Sequence, residues 1–148
     1  MSDERGVGAV EVAVVVLLVG ILSVITVPTL VGARRQAQDR RAKATLAEAL
    51  AAAGRHRQAN GRTFLGFDEA AAEALAPALE WRGGRPSAPV PGVLYITQAD
   101  RDLHLVTESA SGRFFGVHVS GEDGTAGYCS GRSVAAVDEA AECRPPHL

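Results

Sequence analysis

The residues whose spacing could support chemistry stand at the very start of the chain: Gly6, Val7 and Glu11. A cut after Gly6 would create a new α-amino group at Val7. On a helix, Val7 and Glu11 are i and i+4 neighbours, so that amine and the Glu11 carboxylate could pair within one chain, or between one copy and the next. Glu11 is also favourably placed at the head of a helix, where unsatisfied N–H groups leave partial positive charge. A charged group at the centre of a bilayer costs about 2.5–3.5 kcal/mol on insertion scales, and less near a helix end. Glu11 therefore either reaches an interface or awaits a cation.

The remaining candidates are sparse. Cys129 and Cys143 are the two cysteines. An even count in a short chain reads as a disulfide formed in an oxidising compartment. It would close a loop of about 15 residues, worth roughly 3 kcal/mol in the chain-entropy picture. A free pair or a metal site is the other reading, but no CxxC spacing supports zinc. His104 and His118 could face each other across a hairpin; two imidazoles without a third ligand read as polar sheet residues. Ser130, Ser133 and His147 have no spacing that suggests a nucleophile and its base. No G-x-S-x-G, H-E-x-x-H or P-loop occurs, so no catalytic residue, cofactor or metal is expected and the chain does not read as an enzyme.

The element that must carry Glu11 is a long apolar run. From Val12 to Ala33 there are 22 consecutive uncharged residues, interrupted only by Pro28. About 20 suffice to span a hydrocarbon core as a helix. The run shows neither alternation nor an amphipathic stripe, which implies a helix buried on all sides, in lipid or in a bundle. A secretory signal peptide is the weaker reading. Val31-Gly32-Ala33 resembles a cleavage site, but the run exceeds the usual 7–15 residues and Asp3 and Glu4 outweigh Arg5 before it. Read as a plain anchor, Arg34, Arg35, Arg40, Arg41 and Lys43 would place the C-terminal part in the cytoplasm. The cysteine pair argues for the opposite side.

The charge is uneven. Arg34–Arg62 holds eight Lys/Arg against Asp39 and Glu48, a balance of +6; Thr63–Leu148 holds six Arg against twelve acids, a balance of −6. The basic cluster Arg34–Lys43 could neutralise nucleic-acid phosphates. It fits lipid headgroups or an acidic patch on a neighbouring copy better, and with seven aromatics in the chain the stacking platforms of single-strand binders are scarce. DNA is a minor reading.

Good helix formers continue without proline through Ala59, where Asn60-Gly61 is a stop. Ala37, Ala44, Leu46, Ala47, Leu50 and Ala53 form a modest apolar stripe. Asp68 is an N-cap for an alanine-rich helix that Pro77 ends or kinks. Arg82–Gly92 reads as a loop. Four β-prone runs follow, at Val93–Thr97, Leu103–Thr107, Phe114–Val119 and Thr125–Cys129, separated by Gly-containing turns in the last two connections, which implies an antiparallel meander. Leu94/Ile96, Leu103/Leu105 and Phe115/Val117/Val119 alternate onto one buried face.

Gly6, then Val7-Gly8-Ala9-Val10-Glu11, then an apolar run containing Pro28, resembles the prepilin leader motif of type IV pilins and pseudopilins. The resemblance covers about the first 30 residues and is architectural beyond them. It implies a leader at residues 1–6, cleavage between Gly6 and Val7 by a prepilin peptidase, N-methylation of Val7, subunit docking through Glu11 and a helix kink at Pro28. Val7 stands where the family usually has phenylalanine, and the leader is acidic with Arg5 its single base. The implied fold is α+β: a long N-terminal helix, transmembrane over residues 7–33 and amphipathic beyond, packed on an antiparallel sheet of about four strands. Residues 34–148 would form the periplasmic or extracellular domain, with a Cys129–Cys143 loop as exposed surface. The implied function is a structural subunit of a pilus-like filament; a pseudopilin or minor pilin of a secretion or DNA-uptake system is the alternative. The implied partners are other pilins, the peptidase/methyltransferase, an inner-membrane platform with its assembly ATPase, and membrane lipid before assembly. From another class, a non-polymerising membrane-anchored or secreted binding domain is the competing reading.

Overall fold

Alanine, leucine and arginine dominate residues 34–59 and hold the chain in helix until Gly61, a residue tolerant of left-handed backbone, stops it. The structure, a computed structural model, describes residues 8–99, 101–137 and 143, with the backbone alone for residues 22–29. Helix α1 runs Ala9–Ala59. At its end Gly61 and Arg62 take φ values of 67° and 66°, and Arg62 N–H returns to the Arg57 carbonyl at 2.8 Å. Asn60 Nδ2 donates to the His56 carbonyl at 2.9 Å. The chain divides into two units, residues 1–36 and 37–148.

In the second unit, α1 residues Ala42, Leu46, Ala49, Ala52 and Ala53 are buried against Leu94, Ile96, Leu103, Leu105, Phe115, Val117 and Val119 of the sheet. Small residues on the helix side allow a close approach of backbone to sheet, and Leu46 fills what alanine leaves. Half of the expected stripe holds: Leu46 and Ala53 are buried and Leu50 is partly buried against the core, whereas Ala37, Ala44 and Ala47 are exposed. Helix α2 (Glu69–Leu75) begins where Asp68 accepts from Ala71 N–H at 2.9 Å and ends ahead of Pro77.

The sheet has five strands in the order β1-β2-β3-β4-β5: β1 Glu80–Gly83, β2 Val93–Ala99, β3 Asp102–Glu108, β4 Phe114–Val119 and β5 Ala126–Gly131. The last four pair antiparallel in sequence. Strand β1 pairs parallel with β2, Trp81 opposite Leu94, so the sheet is mixed and not the four-stranded antiparallel meander expected. Trp81 explains the added strand. Its ring is buried edge-on to Phe67, 5.9 Å between centroids, and its Nε1–H reaches the Ala76 carbonyl at 3.1 Å.

The transmembrane half of the expected fold is corrected as well. Among the described residues, no helix is long and apolar enough to cross a membrane. The single-pass placement in the cytoplasmic membrane, with the C-terminal domain outside, goes with it.

Candidate functional site

Glu11 lies in the first turn of α1, its amide hydrogen-bonded to the Gly8 carbonyl at 2.8 Å. Its side chain is exposed, where a carboxylate complements the positive end of the helix dipole. Directly after it every large apolar side chain from Val12 to Ile21 is exposed; Leu17, for example, is 63 % accessible and Val14 50 %. Successive residues on a helix point about 100° apart, so Val14 through Val19 face all directions around the axis. A helix that is apolar all round is normally an interior element, and single exposed leucines are ordinary while a contiguous apolar surface marks an interaction site.

Gly6 and Val7 lie outside the described residues. Pro28 falls inside the helical range of α1; its side chain is likewise outside what is described. Neither the cleavage point nor the methylation position is therefore brought together with Glu11 by the geometry on hand. Cys129 and Cys143 are joined in a disulfide.

Two constellations were not foreseen. The first involves Asp39, the one acid among the bases from Arg34 to Lys43. Its carboxylate accepts from the hydroxyls of Ser109, at 2.8 Å, and Ser111, with Arg113 Nη1 at 3.8 Å. Partial burial pushes the Asp39 pKa up, but the Ser111 and Ser109 hydrogen bonds, with the charges of Arg113 and Lys43, outweigh it and hold the carboxyl below its usual value. This cluster fastens α1 to the turn between β3 and β4. A lone acid in a basic run was the available signal.

The second lies on the other face of the sheet. His104 and His118 are cross-strand partners, as the hairpin expectation had them, with ring centroids 6.1 Å apart. His118 Nε2 pairs with Asp102 Oδ2 at 3.1 Å. Buried His104 places Nε2 2.6 Å from the Val137 carbonyl. A carbonyl can only accept, so Nε2 carries the proton. Cys129 and Cys143 share that face with Val93, Tyr95, Val106, Phe114 and Val137.

A surface depression of about 700 Å³ is open and lined by Glu69, Glu73, Glu80, Trp81 and Arg82 among others. Glu80 is paired with Arg82 at 3.4 Å and Glu69 accepts the Gly83 N–H at 3.1 Å. These contacts serve the α2–β1 corner, and among the described residues no nucleophile stands beside a base there.

No protein-family model, no curated protein and no solved structure matches this chain.

Proposed function

We propose that this chain is a structural subunit of a pilus-like filament, processed after Gly6 and polymerised through the N-terminal part of α1. The observation that carries the reading is the exposed, all-round apolar segment Val12–Ile21 preceded by Glu11 in the first helical turn. Such a surface is stabilised when it is removed from water, at roughly 25 cal/mol per Å² of apolar area. The same segment of other copies is a cover of matching length and chemistry. In the bundle, Glu11 of one copy pairs with the Val7 amine of a neighbour, which satisfies a carboxylate that the bundle would otherwise desolvate. The residues Gly6, Val7 and Glu11 fit a prepilin-type peptidase and methyltransferase as processing partner, and an assembly ATPase system as the machinery that stacks subunits.

Intact-mass measurement of the assembled protein tests the processing. The expected mass lacks Met1–Gly6 and carries a methyl group on Val7, and filaments disappear in Glu11→Ala while the domain of residues 37–148 keeps its circular dichroism. A retained Met1, or normal filaments from Glu11→Ala, defeats the reading.

A further inference from the structure

Arg57, in the last turn of α1, is a half-buried cation without a counter-ion. A guanidinium offers five N–H donors. Here Nη2 reaches the Gly121 and Glu122 carbonyl oxygens of the β4–β5 turn, each at 3.5 Å, longer than the roughly 2.7–3.2 Å of an ordinary bond. Nε is buried and has no acceptor. Cζ lies 5.7 Å from the centroid of the Phe64 ring. Among the described residues no carboxylate pairs with Arg57. The Asp123 carboxylate on the same turn accepts from the Thr125 N–H at 2.8 Å, and Glu122 meets Arg57 through its carbonyl.

Arg57 borders a cleft of about 250 Å³ whose apolar walls are Leu50, Phe64, Val119 and Ala126; Gln58 is the other polar side chain on it. Two glycines leave it open. Gly54 lines the cleft from α1, and a Cβ there would meet nothing within 4 Å. Glycine inside a helix is unfavourable, and packing does not require it at this position. A Cβ on Gly124, also on the lining, would stand 3.2 Å from Arg57 Nη1, so the glycine leaves that nitrogen uncovered.

We propose that this cleft is a binding site for a small monocarboxylate with a short apolar body. The carboxylate sits on the Nη groups of Arg57 and the body lies against Leu50, Phe64, Val119 and Ala126. Three considerations support this ligand class. The planar fork of a guanidinium matches the two oxygens of a carboxylate, and such charge-assisted bonds are the strong ones. A partly desolvated cation with an orphaned N–H is costly until an anion joins it, whereas a second negative charge on the ligand would face apolar walls. The volume equals roughly eight waters at ~30 Å³ each, room for an acid of about five carbons, and falls below the roughly 300 Å³ at which ordinary small-molecule pockets begin. Such a site is complete in one copy and does not depend on assembly.

The full chain, isotope-labelled for heteronuclear NMR, is titrated with pentanoate at constant ionic strength and separately with pentan-1-ol. The expected result is one saturable site, with the Arg57 Nε–H resonance and the Leu50 and Ala126 amides shifting together. Pentan-1-ol binds at least about tenfold more weakly, and Arg57→Gln weakens pentanoate by at least about the same factor. Gly54→Leu keeps Arg57 and its contacts but fills the cleft, and it abolishes the saturable shifts while circular dichroism is retained. If Arg57→Gln fails to fold, Gly54→Leu decides. Equal affinity for acid and alcohol overturns the proposal, as does undiminished pentanoate binding in Gly54→Leu. So do shifts confined to residues 10–21, or an Arg57 resonance that does not move.

Discussion

Two stretches of the one helix behave oppositely. Between Val12 and Ile21 the large apolar side chains are all exposed, while between Ala42 and Ala53 a set of four alanines and Leu46 is buried. Intrinsic hydrophobicity would rank them the other way. The difference is what lies opposite. The later stretch has a sheet whose Leu94, Leu103, Leu105 and Val117 fill the volume that alanine leaves, so small residues are what close packing requires there. The earlier stretch carries large residues, and they are exposed. Bulky side chains around a whole helix suit packing among like helices, where each supplies the volume that the next one lacks.

Substitutions on α1 can break or sharpen that contrast. Leu46→Ala, within the buried stretch, should cost about 2–5 kcal/mol in chemical denaturation, because it deletes a large buried side chain that the helix inserts beside partly buried Leu50. A loss below about 1 kcal/mol would mean the stretch is not core. Asp39→Asn should cost about 1 kcal/mol at neutral pH, since a charged acceptor is lost from Ser109 and Ser111. The folded carboxyl titrates below its ordinary value, so its stabilisation is complete above the unfolded pKa near 3.9 and is lost as pH falls through the folded value. The gap between wild type and Asp39→Asn should therefore close below about pH 4, and a gap independent of pH would contradict the charge account. Smallest of all, Leu17→Gln in the exposed stretch should leave the stability of the domain within about 0.5 kcal/mol while weakening self-association, as read by sedimentation.

Much of the fold was legible in the sequence where local signals existed. The ends of β2–β5 follow the β-prone runs, Gly112 and Gly124 take the left-handed turn conformation, and α1 stops at Asn60-Gly61. Strand β1 was not legible. A parallel pairing across the Gly84–Gly92 connection carries no hairpin signature, and Trp81 follows an alanine-rich segment that reads as helix. The buried stripe was half legible for another reason: Leu46, Leu50 and Ala53 mark it, but with alanine at 42, 44, 47, 49, 51, 52 and 53, opposite faces of the helix look alike, and only the sheet decides between them. The transmembrane expectation came from summing one continuous apolar run, whereas among the described residues no helix is long and apolar enough to cross a membrane. The Cys129–Cys143 bond was readable from an even cysteine count. His104 was not joined to it, since 25 positions separate His104 from Cys129 and only the strand register, with Gly116 between, brings them together.

The central claim is that Val12–Ile21 is covered by the same segment of other copies. A photo-activated cross-linker at position 17, in a mixture of isotopically light and heavy chains, tests it most directly. The account predicts mixed light–heavy cross-links landing within residues 10–21 of a second copy. Cross-links confined to one chain, or landing on residues 37–148 alone, would contradict it.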